Sequence, residues 1–86
     1  MTLRFGGMDP YTTGGGSPTV WVDEKRELVI QGWVPDEELL TKISTTEWVS
    51  GHDTGIPKGE NVTRVPLRMA AILRKALDDA ERSGLL

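Results

Sequence analysis

The densest hydrophobic patterning in the chain lies at residues 19–34, TVWVDEKRELVIQGWV, and it has the period of a strand. Thr19 to Asp23 is rich in β-branched and aromatic residues, Glu24-Lys25-Arg26 is charged and turn-like, and Glu27 to Val34 resumes the strand pattern. Side chains alternate along a strand, so Val20 and Val22 share one face and Trp21 takes the other. In the second arm Leu28 and Ile30 share a face, with Val29 and Trp33 opposite, and neither face of the hairpin is polar. Gly32 gives up a side chain inside this arm, as at a bulge or a close backbone approach.

Beyond the hairpin the period changes. Pro35 ends the strand and suits the first turn of a helix, and Asp36, Glu37 and Glu38 put negative charge where the helix dipole favours it. Leu39, Leu40 and Ile43 then form the apolar stripe of a short helix of about two turns. Ser44 and Glu47 have capping-box spacing, so a second helical turn could begin at Thr45, while Thr45, Thr46, Trp48 and Val49 fit a strand equally well. Residues 51–59 read as a loop punctuated by Gly51, Gly55, Pro57 and Gly59, and 61–65 as a third short strand. Pro66 opens the longest helix, about 66–82. Met69, Ile72, Leu73, Ala76, Leu77 and Ala80 fall on one side of it, Arg68, Lys75, Asp78 and Arg82 on the other, and Gly84 is a stop signal.

The expected fold is therefore α+β. A small antiparallel sheet of two to three strands (the hairpin 19–34 plus a strand at about 61–65) is packed by the C-terminal helix, in the order ββαβα. Residues 1–18, rich in Gly, Thr and Pro, read as a flexible arm, although Leu3, Phe5 and Met8 would let it dock along the hairpin. Residues 19–86 read as a single small domain.

Composition sharpens this picture. At 86 residues with 37% hydrophobic positions and 10 glycines, the chain is near the lower limit for a self-sufficient core, and association would help it. It has no cysteine, and its N-terminal stretch has no apolar signal-peptide core, which points to the cytoplasm. No apolar run approaches the ~20 residues of a membrane span. A net charge of −3 with both signs interspersed argues against broad polyphosphate binding and leaves room for a local basic patch.

Little in the sequence carries chemistry. Ser50, His52 and Asp53 are sequence neighbours on a Gly-rich loop, whereas a catalytic triad converges from different elements, so no enzyme is expected. One histidine and no cysteine give no metal set, and GHDTGIPKGE lacks the Gly-Lys-Ser/Thr ending of a phosphate loop, so no metal or cofactor is expected. Two features remain. The first is a basic set at the junction of the last strand and helix, Arg64, Arg68, Arg74 and Lys75, which would suit an anion or nucleic acid. The second is the trio Trp21, Trp33 and Trp48, of a residue type enriched at association hot spots. The last helix can cover one hairpin face, and the short helix is too small to cover the other. A homodimer or a protein partner docking through Trp21, Val29 and Trp33, with Trp48 as a further contact, is the favoured expectation.

Several pieces spread over the chain carry a resemblance: Gly7-Met8-Asp9-Pro10, Val20 to Asp23, Gln31-Gly32-Trp33, Ile56-Pro57 with Gly59-Glu60, and Arg64-Val65-Pro66-Leu67-Arg68-Met69. Together they resemble a family of small, mostly uncharacterised proteins of Streptomyces and related actinobacteria, often encoded near helix-turn-helix regulators. The resemblance implies an accessory role in transcriptional or developmental regulation. The stretch from Thr45 to Asp53 is longer and richer in tryptophan than that family's pattern.

Overall fold

A computed structural model describes residues 1–11 and 16–86. Its elements are strands β1 (Leu3–Met8), β2 (Thr19–Asp23) and β3 (Leu28–Gln31), helix α1 (Glu37–Thr45), a 3-10 turn (Leu67–Met69) and helix α2 (Ala70–Arg82). The chain divides into two compact units, one made of Met1–Trp33 with Val65–Leu86 and the other of Val34–Arg64.

The first unit is a three-stranded antiparallel sheet in the order β1-β2-β3 with α2 packed on β1 and β2. The α+β class, the hairpin and the packing of the C-terminal helix are as the sequence predicts. The third strand is not where the pattern puts it. Residues 61–65 are reduced to a single bridge residue, Arg64, and the sheet is completed by β1, from the arm expected to be flexible or to dock along the hairpin. The element order is thus βββαα where ββαβα is expected. Loop closure favours this outcome. Reaching β2 from β1 closes about ten residues, against about thirty from β3 to residue 61, a difference of about 1 kcal/mol in chain entropy. The Gly14-Gly15 pair of the arm lies outside the described residues.

Charge and turn chemistry fix the hairpin. Asp23 Oδ1 accepts from the backbone N–H groups of Lys25 (2.9 Å) and Glu27 (3.0 Å), and Arg26 N–H donates to the Asp23 carbonyl (3.2 Å). Arg26 closes the turn in the left-handed region at φ 66°. This is the three-residue loop in which a type I turn is followed by a left-handed residue.

The core lies between β2 and α2. Val20 and Val22 pack with Ala76 and Ala80, joined by Leu73 and Leu85, and Met69 is fully buried. The helical stripe read from the sequence is shifted slightly, so that Leu77 stays 41% exposed. Two glycines bring α2 this close to β1. A Cβ on Gly6 would stand 2.6 Å from Val20 Cγ1 and 3.1 Å from Ala76 Cβ; one on Gly7 would stand 2.6 Å from Ile72 Cγ2. The strand register shifts between Phe5 and Gly7, a bulge that absorbs the extra residue. Gly84 terminates α2 at φ 76°, and Leu85 N–H reaches back to the Ala80 carbonyl (2.9 Å), a Schellman ending that sets Leu85 on the core.

In the second unit, α1 forms where the sequence predicts a helix, with Asp36 as its N-cap and Pro35 ahead of the first turn. Asp36 Oδ1 accepts from Leu39 N–H (2.8 Å), with Glu37 and Glu38 in the first turn. It ends at Thr45, and Thr46 is extended, so residues 46–50 are neither the strand nor the fresh helical turn that their pattern allows. The Thr45 and Thr46 hydroxyls donate back to the carbonyls of Thr41 (2.8 Å) and Lys42 (2.7 Å), which satisfies acceptors at the open helix end. Among the described residues no helix is long and apolar enough to cross a membrane.

Candidate functional site

The sheet of the first unit has a covered face and an open one. Val20 and Val22 point to α2, so Trp21 points away from it. Registration places Phe5 directly opposite Trp21 across β1 and β2, and Val29 directly opposite Trp21 across β2 and β3. The result is a row Phe5–Trp21–Val29 that spans the whole sheet. Leu3 shares the face of Phe5, and Met8, opposite Thr19, returns to it after the bulge. Phe5 is 64% exposed, Leu3 and Met8 are nearly half exposed, and Trp21 and Val29 are partly buried. The polar members are Thr19 and Gln31, and the nearest carboxylate, Asp23, is buried and turned to the hairpin backbone. The open face is thus apolar and nearly free of charge.

Of the residues singled out by sequence, Trp21 and Val29 are brought together as cross-strand partners. Trp33 lies beyond the end of β3, 44% exposed, and Trp48 belongs to the second unit, 64% exposed. Leu3, Phe5 and Met8, which the sequence allows to dock along the hairpin, do so as β1, although the sequence did not place them among the site residues. The signal was the alternation Leu3, Phe5, which the glycine pair cuts off after three residues.

The basic set is largely engaged. Arg68 donates from Nε to Asp9 Oδ1 (2.9 Å) and from Nη2 to Asp9 Oδ2 (2.6 Å), and lies 5.7 Å over the Tyr11 ring. The hydrogen bond to Asp9, supported by its charge against an opposing effect of burial, holds the Arg68 guanidinium above its ordinary value. Lys75 bonds Asp79 (2.7 Å), and Arg64 stands 3.9 Å from Asp36. Arg74 is exposed. On the same helix face Asp79 takes both Lys75 and Arg82.

The Gly-rich loop of the second unit is two defined turns. His52 N–H donates to the Val49 carbonyl (2.9 Å) and Glu60 N–H to the Pro57 carbonyl (3.1 Å). The third positions are Gly51 and Gly59, at φ 79° and 97°, where a side chain would be strained. Between the turns lies a concavity of about 380 Å³ whose walls include Trp48, His52, Asp53 and Glu60. Ser50 is not among its walls, so the Ser50, His52 and Asp53 neighbours do not converge on it.

No protein-family model, no curated protein and no solved structure matches the chain.

Proposed function

We propose that this protein is a non-enzymatic interaction module of the cytoplasm that associates through the open sheet face, with a second copy of itself as the partner. The observation that carries the reading is the row Phe5–Trp21–Val29, three apolar side chains in direct register across all three strands, on the face away from α2. Contiguous exposed apolar surface beyond what a monomer ordinarily shows marks association sites on soluble domains. A face almost without charge suits self-association, because a two-fold interface must be complementary to itself and the residues on its axis meet their own kind. The face belongs to a sheet of only three short strands, so the interface falls at the small, weak end of the range. The absence of cysteine supports the compartment. The resemblance to actinobacterial proteins encoded near helix-turn-helix regulators supports a regulatory accessory role. The engagement of Arg68 by Asp9 and of Lys75 by Asp79 weighs against the nucleic-acid alternative, since those cations already have anionic partners.

Sedimentation equilibrium between about 5 and 500 μM tests this. A monomer–dimer equilibrium is expected, abolished by Phe5→Glu, which places a charge on an exposed position without touching the core. A monomer at every concentration, or a dimer indifferent to Phe5→Glu, rejects the sheet face as the self-association surface.

A further inference from the structure

We infer that the loop concavity of the second unit is a binding site for an alkylammonium group, such as a lysine side chain or a small free amine. Four groups in its walls carry the argument. Trp48 is 64% exposed yet pinned, because its only polar atom, Nε1–H, donates to the Ile43 carbonyl (3.1 Å). The indole is thereby fixed as a wall with its polar edge satisfied, and an indole face attracts cations through its quadrupole. Asp53 and Glu60 line the same hollow, and neither carboxylate has an ion-pair partner among the described residues. Lys58, the cation nearest in sequence, is not among the walls. His52 Nδ1 lies 3.3 Å from the Asp53 carbonyl oxygen. A carbonyl only accepts, so in this contact Nδ1 is the donor.

The polar chemistry of the hollow is therefore rich in acceptors and net negative, beside a fixed aromatic wall. A primary ammonium, with three N–H donors on an apolar stem, complements all three properties, and Ile43 and Pro57 supply apolar surface for the stem. A bare metal ion fits less well, since no three His, Asp or Glu side chains among the described residues converge as ligands. An anion would meet the carboxylates. The volume is within the range of small-molecule sites, and the two glycine-containing turns fix its walls in advance.

The test follows the indole N–H cross-peak of Trp48 in a ¹⁵N–¹H spectrum, assigned by its loss in Trp48→Phe. Wild-type protein is titrated with n-butylammonium chloride and, separately, with n-butanol, which has the same stem and no charge. A saturable shift in the millimolar range with butylammonium is expected, with a response to butanol at least ~10-fold weaker. The double variant Asp53→Asn/Glu60→Gln, at two exposed positions, is expected to lose ~5-fold or more in butylammonium affinity while its other cross-peaks stay in place. N-acetyl-lysine methylamide separates the sources. Binding ~10-fold tighter than butylammonium assigns the site to a protein lysine, and equal binding assigns it to a free amine. No shift up to about 100 mM, an equal response to butanol, or a folded double variant with unchanged affinity overturns the inference.

Discussion

Asp9 and Arg68 form a two-point ion pair, with the carboxylate fully buried and the guanidinium partly open to solvent. The pair ties the end of β1 to the entrance of α2, and Tyr11 N–H adds a third hydrogen bond to Asp9 Oδ1 (3.2 Å). A buried carboxylate that loses its cation keeps its desolvation cost. Arg68→Leu is therefore expected to cost about 2–3 kcal/mol in urea unfolding, less than for a fully buried pair because Arg68 is partly solvated. Asp9→Asn should cost less, about 1–2 kcal/mol, because the amide oxygen still accepts one bond. A double-mutant cycle should give strong coupling; additive losses would mean that the pair contributes little.

Gly6 sits where β1, β2 and α2 meet most closely. An added methyl must displace Val20 Cγ1 at 2.6 Å, and the Val20 carbonyl oxygen at 3.0 Å leaves no room on the other side. Gly6→Ala is expected to destabilise by about 2–3 kcal/mol, as overpacking of a rigid core does. Thermal or urea melts check this, and a loss within about 0.5 kcal/mol would show that α2 moves away from β1 without cost.

Arg26 is the one described non-glycine residue with positive φ, at 66°. Holding a side chain in the left-handed region costs about 1 kcal/mol, and glycine gives back part of that gain through its looser unfolded state. Arg26→Gly should therefore stabilise the protein by about 0.5 kcal/mol, and a destabilised variant would mean that the Arg26 side chain contributes a contact of its own.

Asp79 accepts a hydrogen bond from Lys75 and also feels the charges of Lys75, Arg82 and Arg4, which together hold its carboxyl below the usual value despite some burial. A carboxyl lowered in the folded state binds its proton less readily there than when unfolded. Its contribution to stability is therefore complete above the ordinary carboxylate range and disappears as pH falls through the lowered folded value. The stability difference between wild type and Lys75→Met should be constant at neutral pH and shrink on acidification below about pH 4. Chemical denaturation at a series of pH values reads it, and a difference that grew towards acid pH would contradict the assignment.

The hairpin, the acidic first turn of α1, the amphipathic α2 and its Gly84 stop were legible in the sequence because each is set by local periodicity, charge or backbone preference. Val20 and Val22 against Trp21 follow from the alternation of a strand, whatever the strand packs on. Four things depended on the folded chain. The third strand is β1 and not 61–65, because two weak patterns competed and the shorter closure to β2 prevailed, with Gly6-Gly7 admitting α2 at a distance no side chain would allow. Arg68 reads as a free cation until the fold brings Asp9 to it across most of the chain. The row Phe5–Trp21–Val29 exists only through strand register, and the loop concavity only through two turns that place Trp48 beside Asp53 and Glu60. Local chemistry fixes the type of each element, while partners distant in sequence are chosen by packing and closure entropy, which no single segment contains.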